Sequence, residues 1–476
     1  HDLCWITYPI LRSQIILWIL TPSLLRSILT MPRSNVVITG LGVVSSIGIG
    51  GEAFFDGLLQ KRSGITSLAN RTDGCAVPSP SDSLTGHWIG GPVVDFEPKQ
   101  YVRPRKSLKV MCREIQTAFA ASHLAIEQSG LNVLLPLSDT GTLKPADVGT
   151  VFGSEMFYGS PVDMEDAIKA SVTEDGEFEP AMFGGAAMKK VTPLWMLKHL
   201  PNMPACHVGI SINAQGPNNT LVLGDVSGMA AVVESISCLE RGTAKAMIAG
   251  ATGTRINTTR MNYRADLPLA AVADPVELSS RPHDPESQGV VGGEAAAALV
   301  LENREDAEKR EAIVLARIAS YASCFIASGG MHQGQRSSAA EPQLRGSAQA
   351  IERSMVTALT DAGIDASQVG LVVSHGMGDP VIDLAERTAI AEVVPNVPVV
   401  ATIASLGHSG AASGMVDIAT GVLALVRSQV PPTVQLDETS AEVGFRDAPE
   451  AMSLKHVLCL SHTSEGNAIA MVLEAP

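Results

Sequence analysis

Aromatic residues are scarce in this 476-residue chain, at 4%, and basic ones are outnumbered: 34 Lys and Arg stand against 49 Asp and Glu, a formal charge of −15. Phosphate recognition needs a concentrated excess of Lys and Arg, so the balance argues against nucleic acid as a partner, while leaving room for a local basic patch. The seven cysteines, Cys4, Cys75, Cys112, Cys206, Cys238, Cys324 and Cys459, are scattered singly, with no CxxC pair and no ligand spacing. They read as reduced thiols of a cytoplasmic protein, and with no HExxH among the eleven histidines no metal is expected. Long apolar runs are missing near the start as well. Between Arg12 and Arg26 the uncharged stretch is 13 residues and holds Pro22, short of the roughly 20 a membrane-spanning helix requires. No membrane association is expected.

Glycine (43 residues) and hydrophobic side chains (45%) are abundant, the profile of a large packed protein with two or more core units. Residues 1–30 begin with His1, carry no acid after Asp2 and are rich in Leu and Ile. They read as a leader or non-native extension ahead of a start at Met31. From there, strand-like and helix-like runs alternate, which favours α/β layering. Asn35–Gly40 reads as a buried strand entering a tight loop, Leu68–Gly91 as a surface excursion and Ser328–Gly346 as a mobile loop.

Two internal echoes suggest duplication. A helix and strand in Glu114–Glu155 are matched in Ala348–Gly376. Ser227-Gly228-Met229 is matched by Ser413-Gly414-Met415, each followed 14 positions after its serine by an arginine, Arg241 and Arg427. Two similar α/β halves, each with a glycine-rich turn into a buried helix, are the thiolase architecture. The expectation is a thiolase-like fold of two halves, 31–255 and 256–476, forming a five-layered αβαβα core.

Several stretches, in order, are similar to the type II β-ketoacyl-acyl-carrier-protein synthases: VVITGLGVVSSIG, NMPACHVGISINAQGPNNT, SGMAAVVESISCLERG, RPHDPESQGVVGGE, SHGMGDPVIDLAE and SLGHSGAASGMVD. The resemblance runs from about Met31 to Pro476. It implies acyl chains carried on the phosphopantetheine of an acyl carrier protein, no bound cofactor, and a dimer. That family uses a cysteine nucleophile at a helix start, two histidines that stabilise a thioester enolate, and a lysine paired with an acid.

This chain departs from that pattern. Asp225 falls at the cysteine position, where an aspartate has an undemanding role as a helix N-cap worth about 1 kcal/mol. His375 and His408 match the two histidines. Ile403 takes the lysine's place, so Asp417, nine residues after His408, loses its expected partner and should have a raised pKa if buried without another donor. Asp383 and Glu386 keep their spacing after His375 and read as structural hydrogen-bonding groups. The family's Phe- and Gly-rich gate appears as Leu460–Asn467, with Ser461 and Thr463 in the altered positions, so neither the gate nor its oxyanion donor is assumed. Cysteine-dependent condensation is therefore not expected. Three functions are compatible: a chain-length-factor-like subunit pairing with a cysteine-bearing ketosynthase, either in that heterodimer or as a homodimer; a malonyl-thioester decarboxylase using His375 and His408; or a non-catalytic acyl or carrier-protein binder.

Overall fold

The computed structural model describes residues 34–68, 89–131, 143–159, 162–257, 267–328, 345–434 and 443–476. The leader at 1–30 and nearly all of the two loops read at Leu68–Gly91 and Ser328–Gly346 lie outside these residues.

Ten strands form the backbone of the molecule: β1 Val36–Ser45, β2 Val148–Gly153, β3 Asn218–Leu221, β4 Ala246–Thr254, β5 Glu294–Asn303, β6 Ala316–Phe325, β7 Val369–Ser374, β8 Val399–Ala401, β9 His456–His462 and β10 Asn467–Glu474. The first five lie in the order β3-β2-β4-β5-β1 and the second five in the order β8-β7-β9-β10-β6. Directions match as well. In each set the three strands farthest from the seam run parallel, and the remaining two pair antiparallel. The sets meet where β1 and β6 share the pairs Val37↔Arg317 and Ile38↔Ala316. Superimposing chain order on sheet order equates β1 with β6, β2 with β7 and so on through β10, which is a duplication.

The strand that completes the first set, β5, lies beyond residue 255. The turnover between halves therefore falls between Asn303 and Ala316, not at the boundary expected from the sequence.

Both faces of each set are covered, which is why strands such as β5 read as continuous apolar runs without alternation. On β9, Val457 and Cys459 enter the central core while Leu458 and Leu460 enter an outer one. On β5, Leu299 and Leu301 face the centre and Ala298 and Val300 the other side. On β1 the inward set shifts from Val36 and Ile38 to Leu41 and Val43, because the pairing with β5 skips between Ile38 and Gly40. Helix α1 (Arg113–Ser129) covers the outside of the first set. Helices α3 (Ala348–Ala362) and α4 (Pro380–Val393) cover the outside of the second. Between the sheets lie α2 (Ser227–Glu240) and α5 (Ser413–Arg427). The result is a thiolase-like, five-layered αβαβα fold.

The echoes map onto this symmetry. α1 and α3 both end at a left-handed glycine, Gly130 and Gly363, each with φ 62°, and each leads into the equivalent strand, β2 or β7. α2 and α5 meet at their starts. A Cβ on Gly228 would lie 2.9 Å from the Ala411 carbonyl oxygen and 3.0 Å from the Met415 nitrogen, so only glycine permits this crossing. The stretch Gly410–Arg427 is long and apolar enough to cross a membrane, but it is the buried helix of this central layer.

Candidate active site

Three strands of the fold deliver side chains to one place at their C-terminal ends, the usual position for a site in such sheets. Arg255 directly follows β4, His375 directly follows β7, and His462 ends β9. Asp225 precedes α2, and His408 sits in the turn between the short helix Ile403–Leu406 and α5. His408 is pinned by backbone bonds: its N–H donates to the Val291 carbonyl at 2.8 Å, and its own carbonyl accepts from Gly293 at 2.8 Å. The QGVVGGE segment is thus a cradle for this histidine.

Asp225 is buried, but its carboxylate does not cap α2. The N-cap is Val226, with no side-chain capping bond, and the preceding turn is held by Ser227, whose hydroxyl accepts from Leu223 N–H at 2.8 Å and donates to the Gly224 carbonyl at 2.5 Å. The carboxylate instead accepts from Arg255 Nη2 at 2.7 Å and lies 3.7 Å from His408 Nε2. Burial on its own would raise the Asp225 pKa; Arg255 above all, then His408 and His375, outweigh it and hold the group well below the usual carboxylate range. Arg255 could not have been picked out from sequence beyond being a cation at the end of an apolar strand.

His408 Nδ1 accepts from the Gly410 N–H at 3.1 Å, so the neutral ring carries its proton on Nε2, the atom facing Asp225. His375 stands edge-on to His408, with ring centroids 5.6 Å apart. Its Nδ1 lies 3.4 Å from Asp417 Oδ2, and its Nε2 is buried without a hydrogen-bond partner. Asp417 receives the Thr402 hydroxyl on its other oxygen at 2.7 Å. Ile403, expected from the resemblance at the lysine position, is buried, and its carbonyl accepts from the Ser280 hydroxyl and the Gly407 N–H, both at 2.8 Å. Asp417 has therefore found two new donors, Thr402 and His375. Burial still pushes its pKa up to about 6. Burial opposes charge on His375, yet the hydrogen bond and charge of Asp417, with Asp225 and Glu386, leave its pKa raised.

Glu386 and Asp383 organise the loop behind His375. Glu386 accepts the His375 and Gly376 N–H groups at 2.8 and 2.9 Å, and Asp383 accepts those of Met377, Gly378 and His283 at 2.6, 2.8 and 2.7 Å. Two further histidines, invisible as site residues from sequence, approach Glu386: His462 Nε2 at 3.2 Å and His283 Nε2 at 3.5 Å. Burial would raise the Glu386 pKa, but His462, His283 and His375 hold it well below the ordinary range. In Leu460–Asn467, the stretch expected to correspond to the gate, the Ser461 hydroxyl donates to the Asp225 carbonyl at 3.2 Å. Thr463 closes a tight turn onto Asn467, its N–H donating to the Asn467 carbonyl at 3.0 Å.

Asp225, His375 and His408 place one ligand-type atom each within 4.8 Å of one another, the donor set of a two-histidine, one-carboxylate metal centre. The fit fails at His408, whose Nε2 bears a proton, and at Asp225, which is committed to Arg255.

A duplicated thiolase-like fold thus sets two histidines against the start of a central helix. Residues 33–307 match the β-ketoacyl synthase N-terminal domain and residues 323–437 its C-terminal domain, and the chain belongs to the β-ketoacyl synthase family. It is 28% identical over 427 residues to 3-oxoacyl-[acyl-carrier-protein] synthase 2 of Synechocystis sp., covering 88% of this chain and 92% of the relative. Among solved structures it is similar to the ishigamide ketosynthase/chain length factor, with 22% identity, a TM-score of 0.71, and coverage of 93% of this chain and 100% of that one. It is also similar to the complex of a type II polyketide acyl-carrier protein with its ketosynthase bound to the hexaketide, AntDE:AntF, with 20% identity, a TM-score of 0.72, and coverage of 94% and 100%. At these identities the two structures speak for the fold.

Proposed function

We propose that this protein is a non-condensing β-ketoacyl synthase homologue that acts as the partner subunit of a cysteine-bearing ketosynthase in fatty acid or polyketide assembly. The observation that carries the reading is the Asp225–Arg255 ion pair, on our reading of residue 225 as the counterpart of the family's nucleophile. A carboxylate clamped by a guanidinium and held far below its usual pKa is a weak nucleophile, and an acyl-aspartate would be a hydrolysable anhydride, so the site cannot hold a growing chain as a thiolate does.

Two surface features support partners of the expected kinds. β3 is the outer strand of the first set and is followed by half-exposed Val222 and Leu223, an open edge suited to pairing with another subunit. Lys99, Arg103, Arg105, Lys106 and Lys109 are all exposed in one short segment of an otherwise acidic chain, a complement for an acidic carrier protein. Co-expression with a cysteine-bearing synthase encoded beside it, followed by size-exclusion chromatography with light scattering, tests the reading. A stable heterodimer is expected, and a strict homodimer that ignores such a partner would sink it.

One observation favours a second reading, malonyl-thioester decarboxylation. His408 presents Nε2–H, and His375, when charged, presents another N–H beside it, the two donors an enolate oxygen needs. Release of CO2 from malonyl carrier protein, lost in His408→Ala, would establish it.

A further inference from the structure

We propose that the Asp417–His375 pair is a general base that hydrolyses acyl thioesters presented at this site. The inference goes beyond partner assembly and rests only on the reading that carrier-borne thioesters reach these histidines.

The arrangement is a carboxylate–imidazole dyad. Asp417 lies against Nδ1 of His375, is anchored on its other oxygen by Thr402, and is fully buried. His375 and Thr402 are the two side-chain donors that hold Asp417 in this role. On the far side of the ring, Nε2 is buried without a hydrogen-bond partner, and the residue belongs to the cluster with Asp225 and His408. An imidazole whose Nδ1–H is held by a carboxylate presents a lone pair at Nε2 when neutral, the state required to take a proton. His408 supplies the complementary group, an Nε2–H able to donate to a thioester oxygen. With no cysteine at residue 225, water is the remaining nucleophile.

The step balances. Water loses a proton to His375 Nε2 as its oxygen bonds to the thioester carbon. The tetrahedral oxyanion is held by His408. The C–S bond then breaks and the leaving thiolate takes the proton back from His375, giving a carboxylic acid and a free thiol. His375 is the catalytic base and Asp417 a positioning residue.

The groups facing His375 are Asp417 from α5, Asp225 from the start of α2, Glu386 from α4, His408 from its turn and His462 from β9. Because the acids raise its pKa, the neutral ring forms only above the ordinary histidine range, and hydrolysis should increase with pH.

Purified full-length protein is incubated with S-octanoyl-pantetheine, a probe that cannot decarboxylate and needs no carrier docking, and free thiol is followed with a chromogenic reagent from about pH 6 to 9. The expected result is saturable thiol release with an alkaline limb, reduced roughly 100-fold in His375→Gln. In Asp417→Asn the limb moves to lower pH, a change that loss of packing alone would not produce. Release at the buffer rate in the wild-type protein, unchanged release in His375→Gln, an unmoved limb in Asp417→Asn, or an acyl adduct on Asp225 by intact mass would each overturn it. None of these outcomes depends on whether a partner subunit binds.

Discussion

Replacing Arg255 by methionine would remove the guanidinium and leave the Asp225 carboxylate buried. The two groups are 2.7 Å apart with side chains 12% and 8% exposed, so solvent screens them weakly. At an effective dielectric of 20 the bare attraction at 2.7 Å is roughly 6 kcal/mol. Desolvation offsets much of that attraction in the intact pair, but stripping one partner leaves the other's cost uncompensated, and a loss of about 3–5 kcal/mol follows. His408 Nε2, at 3.7 Å, leaves the stripped carboxylate one polar neighbour, which places the expectation near the lower end. Urea unfolding at fixed protein concentration measures it through the midpoint and slope. The double variant Asp225→Leu/Arg255→Met should be far less destabilised than the two single changes combined, because burying neither charge removes the penalty. The pH dependence has a definite sign. The folded pKa of Asp225 is depressed, so its stabilisation is present above the ordinary carboxylate value of about 3.9 and is lost only as pH falls through the lower folded value. Without Arg255 that loss should begin at higher pH. A cost of Arg255→Met under about 1 kcal/mol, comparable to an exposed pair, or single effects that simply add in the double variant, would refute the claim that this pair is a buried, mutually dependent unit.

Three further outcomes are expected. In NMR titrations of the histidine ring protons, His375 should titrate above the ordinary value in the wild-type protein and fall back toward or below it in Asp417→Asn, since the acid that raises it is gone. Glu386→Gln keeps one acceptor oxygen for the two backbone N–H groups at His375 and Gly376, so a loss of about 1–3 kcal/mol is expected. Glu386 has a depressed folded pKa, so its contribution exists above the ordinary carboxylate range and vanishes in acid; the stability gap between the variant and wild type should therefore close at low pH in acid-unfolding curves. Gly228→Ala places a methyl against two backbone atoms that cannot yield, and thermal unfolding should show a loss of roughly 1–3 kcal/mol or an insoluble product.

How much of this was legible in the sequence follows from the range of each interaction. The Ser-Gly-Met echoes were readable because both helix starts are closely packed, Gly228 against the backbone of the other helix and Gly414 against Ser461 of β9, a requirement written into local residues. The half boundary was not, since β5 declares its allegiance only by pairing with β1 and β4. The histidine positions came from motifs, but the partners came from tertiary approach: Arg255 reaches Asp225 from the end of β4, and His462 reaches Glu386 from the end of β9. Asp225 illustrates the difference. A helix-capping role was the natural local inference, and a salt bridge formed 30 residues away displaced it.

The pairing of β1 with β5 joins Val36 to Asn303 and Val44 to Ala296, and its contact with β6 reaches Arg317. The earliest described strand to leave the ribosome is thus buried along its whole length, yet apart from a short pairing with Gly48 and Ile49 its strand neighbours are made more than 250 residues later. At ordinary synthesis rates that is a wait of about 10–50 s. During this interval VVITGLGVVS is an unprotected adhesive edge, and the nascent chain is most exposed to misassembly and most in need of a chaperone before the first half can close.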